Sequence, residues 1–177
     1  ANALYRPGPM GIKAHEEYIH NKFHPEEIKY VHPALESILG KTNGVLIFQE
    51  QLMFLAHEIG GMSLGEGDML RRYMDKASSA IMKKSKGEGM SKKEEDNYKE
   101  FEKYWTKFLE GAEKNGYKTA EVDIIKDWVI KYLGYSFNRS HSVSYGYLAM
   151  QTLFLKHYYP TEFYTALLNH PKTSGGK

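Results

Sequence analysis

The chain has 177 residues, 41% of them hydrophobic and 14% aromatic, and a net charge of only +2. This composition excludes a disordered chain, and it excludes nucleic-acid binding by bulk charge, so any such binding must be local. The absence of cysteine removes disulfides, thiolate catalysis and cysteine-ligated zinc, and no apolar run approaches the roughly 20 residues of a membrane span. A soluble cytoplasmic chain with no membrane partner is expected, of a size that buries a substantial core.

Leu4 to Pro9 reads as a rigid turn of the kind that follows other structure, and Lys172 to Lys177 as a polar tail, so a piece of a larger protein is expected. Gly11 to His24 has helical spacing through Ile12, Tyr18, Ile19 and Phe23 until Pro25 breaks it. A second short helix is predicted from His32-Pro33 through Leu35, Ile38 and Leu39 to a stop at Gly40. Gly44 to Phe48 fits either a short strand or a buried helix start. Phe48, Leu52, Leu55 and Ile59 then mark an amphipathic helix that ends at Gly60-Gly61.

Ser63 and Glu66 have capping-box spacing, which predicts a helix from Leu64 to about Lys76. Residues 76–107 carry nine lysines against six acids, and the stretch from Ser78 to Met90, poor in apolar residues, is expected to be a mobile loop. Ser91 and Glu94 repeat the capping box. Tyr98, Phe101, Trp105, Phe108 and Ala112 follow on one helical face that ends at Asn115-Gly116, and this stripe reads as core. Thr119 is placed as the cap of a helix with Ile125, Trp128, Val129, Tyr132 and Leu133 on its face, ended by Gly134. Ser142 to about Tyr158 is almost continuously apolar, which predicts a helix buried on most sides. Pro160 opens a last helix with Phe163, Leu167 and Leu168. The fold class is mainly α, a multi-helix bundle with at most a short strand near Val45–Phe48.

Two basic clusters stand out. Arg71 and Arg72 lie about 100° apart on their helix with Lys76 one turn beyond Arg72, and these cations suit a polyphosphate because a guanidinium donates two hydrogen bonds at once. An isolated pair of this kind equally serves the dipole at a helix end. The segment Gly134 to Tyr145 gathers Asn138, Arg139, Ser140, His141, Ser142 and Tyr145 at a turn into a helix, a setting that favours an anion but also suits a plain Asn/Ser-capped helix start.

Other chemistry can be set aside. His15 and His20 are one residue too far apart for a zinc-protease helix, and His20 and His24 show no third ligand in the sequence. Gly60 to Glu66 imitates a phosphate loop but places a carboxylate where lysine is required, and no Gly-x-Ser-x-Gly elbow occurs. No metal-binding residue is assigned.

Taken in order, several motifs carry a resemblance: Ala3 to Pro9; Thr42-Asn43-Gly44-Val45 running into Gln49-Glu50-Gln51; Ser63-Leu64-Gly65 with Asp68 and Leu70-Arg71-Arg72; Gly134 to Tyr145; Gln151-Thr152; and Tyr159-Pro160 with Glu162-Phe163. Together they closely resemble the bacterial C-family replicative DNA polymerases, the polymerase III alpha subunits, in the region after the palm. The resemblance implies residues 1–44 as a palm-to-fingers connection, 45–171 as helical fingers and 172–177 as a flexible tail. It implies that Arg71, Arg72 and Arg139, with Lys76 and His141 in support, grip the triphosphate of an incoming deoxynucleotide. It further implies that Asn138, Ser140 and Ser142 orient phosphate or sugar, that Tyr145 packs on the nascent base pair, and that Arg6, Lys83 and Lys84 meet template-primer DNA.

Magnesium is implied for the parent enzyme, on palm residues outside this chain, and the sliding clamp and other replisome subunits are implied as partners only through regions absent here. Tyr73, Asp75-Lys76-Ala77-Ser78, Ser136, Arg139 and Val143-Ser144 depart from the family pattern, which suits a divergent bacterial or phage-encoded member. A rival reading is a stand-alone helical DNA-binding or interaction module with Lys83 to Lys93 as its electrostatic footprint.

Overall fold

The computed structural model describes residues 3–131 and 137–170, and its α-helices are α1 (Pro7–Gly11), α2 (Ala14–Phe23), α3 (Leu35–Leu39), α4 (Gln49–Glu58), α5 (Leu64–Lys86), α6 (Lys92–Lys114), α7 (Thr119–Lys131), α8 (Arg139–Tyr158) and α9 (Pro160–Asn169). No strand forms among the described residues. A single parallel bridge joins Phe48 to Phe137, so the mainly helical class holds. The backbone packs as two units, Ala1–Arg139 and Ser140–Lys177.

In the first unit the core is built on α4, α5 and α6. Leu52, Leu55 and Ile59 of the first, Leu70, Met74, Ala77 and Ile81 of the second, and Phe101, Trp105, Phe108 and Ala112 of the third are all buried. The aromatic stripe of α6 is therefore core, as its spacing predicts. Helices α5 and α6 run antiparallel. Glu66 meets Lys107, Tyr73 stacks on Tyr104 with centroids 5.5 Å apart, and Lys83 Nζ lies 2.8 Å from a Glu94 oxygen. Both helices carry complete capping boxes: the Ser63 and Ser91 amides donate to Glu66 and Glu94 at 2.9 and 2.8 Å.

Backbone contacts fix this arrangement where glycine permits. A Cβ on Gly111 would lie 1.8 Å from the Gly60 carbonyl oxygen, so α6 crosses the end of α4 with main chain against main chain. Asn115 closes the same crossing by donating from Nδ2 to the Ile59 carbonyl at 3.0 Å.

Several local expectations need correction. The expected loop over Ser78–Met90 is helical as far as Lys86, because Ala77, Ala80 and Ile81 continue the buried face begun by Leu70 and Met74. The stop is Gly87, in the left-handed conformation with φ 70°. Thr119 is the first helical residue of α7 rather than its cap, and the Lys118 amide is bonded instead by the Glu121 carboxylate at 2.8 Å. The turn after Arg6 already coils into α1, and Lys13, at φ 59°, separates it from α2. Helix α3 stops at Gly40 as expected, and a 3₁₀ turn, Gly40–Thr42, follows it. Tyr132, Leu133, Gly134 and Ser136, and the expected tail, lie outside the described residues.

The second unit holds the largest departure. The helix expected to be buried on most sides has no buried residue: Val143, Tyr145, Tyr147, Leu148, Met150, Leu153, Phe154, Leu155 and Tyr158 are all exposed. Its apolar side chains point all round, and one ten-residue helix, α9, has too little surface to cover more than one side of it. Phe154 does meet Tyr158 and Tyr159 at the α8–α9 corner, with centroids 4.7 and 6.3 Å away.

Candidate functional site

The sequence around Arg71 places acids one turn before and one turn after it, and the helix makes neighbours of all three. Asp68 Oδ1 accepts from Arg71 Nε at 3.0 Å and Nη2 at 2.9 Å, while Arg71 Nη1 donates to Asp75 Oδ2 at 3.1 Å. Asp68 Oδ2 accepts from Arg72 Nε at 2.7 Å. One carboxylate thus holds two guanidiniums. The consequence differs for each: the Arg71 side chain is 14% exposed and engaged from both sides, whereas that of Arg72 is 59% exposed. Lys76 sits with its ammonium 5.0 Å from the centre of the Tyr73 ring.

Electrostatics follow the geometry. Burial opposes ionisation of Asp68, but the Arg71 hydrogen bond and the charges of Arg71 and Arg72 outweigh it and hold the carboxyl below its usual range. For Asp75 burial prevails over the attraction of Arg71, and its pKa is raised. Asp68 thus spends both carboxylate oxygens on arginine, and Asp75 one.

The second cluster is organised from α4. The Phe137 amide donates to the Ile47 carbonyl at 2.9 Å and the Gln49 amide donates to the Phe137 carbonyl at 3.0 Å, which docks the chain just ahead of Arg139 on the start of α4. The Arg139 amide then donates to both Glu50 oxygens at 3.1 Å. A carboxylate therefore sits on the first N–H of α8, the position that the sequence marked as suited to an anion. Arg6 joins from α1's leading edge, its guanidinium 5.0 Å from the centre of the Phe137 ring. Arg139 and Lys41 line a cleft of about 400 Å³ with Glu50, Glu58, Phe48 and Phe54.

Beneath that cleft lies a fully satisfied buried amide. Gln51 Oε1 accepts from the amides of Ile47 and Phe48 at 2.9 and 2.8 Å, and its Nε2 donates to the Ile38 carbonyl at 3.2 Å and to Thr42 Oγ1 at 2.7 Å. The Thr42 hydroxyl lies 2.7 Å from the Val45 carbonyl and 3.0 Å from that of Leu39. Asn43 and Gly44 make the left-handed turn between them, at φ 53° and 79°. This network sets the position of Glu50.

The remaining predicted residues are distributed as follows. Asn138, Ser140, His141 and Tyr145 are exposed at the start of α8, with the His141 and Tyr145 rings 4.5 Å apart. Ser142 is half-buried and its Oγ has no hydrogen-bond partner. Lys83 and Lys84 are engaged within the α5–α6 hairpin. Lys83 reaches Glu94, and Lys84 lies 3.2 Å from Glu102 and 4.1 Å from the centre of the Tyr98 ring.

Residues 1–97 match the family model described as the bacterial DNA polymerase III alpha subunit finger domain. The chain belongs to this finger-domain family. It is 42% identical over 176 residues to the DNA polymerase III subunit alpha of Treponema pallidum (strain Nichols), covering 99% of this chain and 13% of the relative. It is 39% identical to the protein of the same name from Campylobacter jejuni over 175 residues, again 99% of this chain and 13% of the relative. The Halalkalibacterium halodurans protein is 43% identical over 166 residues, 94% of this chain and 13% of the relative. The chain thus spans about 13% of the length of these curated relatives.

Within this finger-domain member, Glu50, Asp68 and Asp75 hold the predicted cations in place, and the sequence analysis assigned none of them to the site. For the aspartates a signal was present in the three- and four-residue spacings from Arg71 and Arg72. Glu50 stood only within the Gln49-Glu50-Gln51 motif, with no local spacing to mark its contact, because its partner lies 89 residues away.

Proposed function

We propose that this chain is the fingers part of a replicative DNA polymerase and that it grips the triphosphate of the incoming deoxynucleotide, next to template-primer DNA. In this reading residues 45–171 are the fingers and 1–44 connect them to the palm. The observation that carries it is the level at which the two basic clusters stand along α4 and α5. Gly67 of α5 lies against Met53 and Ala56 of α4, whose Cα and Cβ atoms fall 3.3 and 3.4 Å from a Cβ built on that glycine. Counting about 1.5 Å per residue along both helices in opposite directions sets the Arg71-Arg72 turn level with the first turn of α4, where Glu50 holds Arg139.

Arg72 is the residue best suited to contact phosphate, since its side chain is exposed and its position is set by Asp68. Arg71 positions it, sharing the same carboxylate. Arg139 approaches from the other cluster, with Lys76, Asn138, Ser140, His141, Ser142 and Tyr145 as further contacts to phosphate, sugar or base. Cations in such a place neutralise charge on the departing pyrophosphate. Magnesium chemistry, like the contacts to clamp and replisome, belongs to parts of the parent polymerase outside these residues, and its setting is the cytoplasm around the nucleoid. The engagement of Lys83 and Lys84 with Glu94 and Glu102 weakens the rival reading of a free DNA-binding module.

The test is primer extension by a polymerase carrying this chain. Arg72→Ala should lower kcat/KM for the nucleotide by roughly tenfold or more, the worth of one charge-assisted hydrogen bond, with folding intact. Arg139→Ala should act in the same direction. Unchanged kinetics in both variants would remove the reading.

A further inference from the structure

Helix α2 sets His20 and His24 one turn apart on one face, and the sequence alone offers no third ligand. The fold supplies one. Pro25 turns the chain into a 3₁₀ segment, Pro25–Glu27, and the Glu27 amide donates to the His24 carbonyl at 3.0 Å, bringing the carboxylate back over the histidines. His20 Nε2 lies 2.8 Å from Glu27 Oε2; His24 Nδ1 lies 3.9 Å from Glu27 Oε1 and 3.7 Å from Glu26 Oε1. The two imidazoles face each other with centroids 4.8 Å apart. Donor atoms of His24, Glu26 and Glu27 all fall within 4.8 Å of one another.

We propose that His24, Glu26 and Glu27, with His20 beside Glu27 as a further imidazole, bind one first-row divalent transition metal of the zinc class. Tetrahedral ligands about 2.0–2.1 Å from zinc stand about 3.3 Å from each other, close to the 3.7 and 3.9 Å from His24 Nδ1 to Glu26 Oε1 and Glu27 Oε1, and His20 Nε2 stands 2.8 Å from the other Glu27 oxygen. Two imidazoles with carboxylate select zinc, nickel or copper over magnesium or calcium, which prefer oxygen alone. The site lies at the C-terminal end of α2, where the helix dipole favours a cation. All four side chains are exposed, so water reaches the remaining coordination position.

A metal here would clip the 3₁₀ turn to α2. The neighbouring residues brace the turn below the cleft: Asn21 Nδ2 donates to the Asn43 carbonyl at 2.6 Å, and Ile28 lies against Gly44. The site is independent of the nucleotide reading. Its function would be to stiffen that brace.

Zinc sulfate titrated into the full chain by calorimetry should give one site per chain, and cobalt in its place should give the intense visible absorption of tetrahedral coordination. His20→Ala and His24→Ala should each weaken zinc binding at least roughly tenfold, with far-UV circular dichroism unchanged because both side chains are exposed. Magnesium should produce no heat at this site. Zinc uptake that persists unaltered in the His20→Ala/His24→Ala double variant, or a folded wild-type chain that takes up no zinc, would overturn the proposal.

Discussion

The α5–α6 hairpin and helix α8 contain comparable stretches of apolar and aromatic residues, yet one is buried and the other exposed. Along α6 the apolar residues recur on one stripe, with charged residues opposite, so neighbours on that one side, α5 and the end of α4, bury them. Along α8 they occupy every side, and α9 can cover only one of them. Apolar content alone therefore says that a helix wants covering; the angular distribution says how many neighbours it needs. A striped helix completes its core locally, whereas an all-round apolar helix cannot do so with one short partner.

The sharpest way to break this comparison is to hollow the striped side. Phe108 is fully buried against Gly60, and Phe108→Ala should cost about 3–5 kcal/mol in chemical denaturation. A next, smaller loss is expected from Gln51→Leu. The change strands the Ile47 and Phe48 amides and Thr42, at about 2–4 kcal/mol in the same measurement. If Gln51→Leu proved neutral, the network beneath the cleft would not be what orders the start of α4.

A third prediction concerns acid. Lys107 and the Ser63 cap hold Glu66 down to about 2 from an ordinary 4.5, and Lys83 with the Ser91 cap does the same for Glu94. With folded values below unfolded ones, their stabilisation is complete above pH 4.5 and is lost as pH falls towards about 2. The melting temperature should fall through that window, and Glu66→Gln/Glu94→Gln, which keeps the cap geometry but not the charge, should flatten the profile. High salt should shrink the effect because both groups face water. The smallest change is expected on α8. Leu153→Ala, at a residue 66% exposed, should alter stability by less than about 0.5 kcal/mol. A loss approaching that of Phe108→Ala would erase the contrast between the two regions.

Legibility in the sequence followed the same physics. Helices whose period and caps agree, such as α4 and α6, were readable from Phe48–Ile59 and from Ser91 with Glu94. The stretch beyond Lys76 was not, because its buried face is made mostly of small residues, Ala77 and Ala80 ahead of Ile81, that signal weakly for a core. Burial of α8 was misjudged because hydrophobicity fixes a preference and not a partner. At the candidate site, the arginines stand out in the sequence as cations, but their restraint by Asp68 and Asp75 needed the helix built, and the Glu50 contact to the Arg139 amide needed the fold.

The meeting of Gly60 with Gly111 has a mechanical meaning. Where two main chains touch without side chains between them, neither helix has a compressible layer in which to slide. Gly67 locks α5 onto α4 in the same way, its Cβ position 3.0 Å from the Met53 carbonyl oxygen. The three helices are then tied into one stiff block, with Arg72 on the same block as α6.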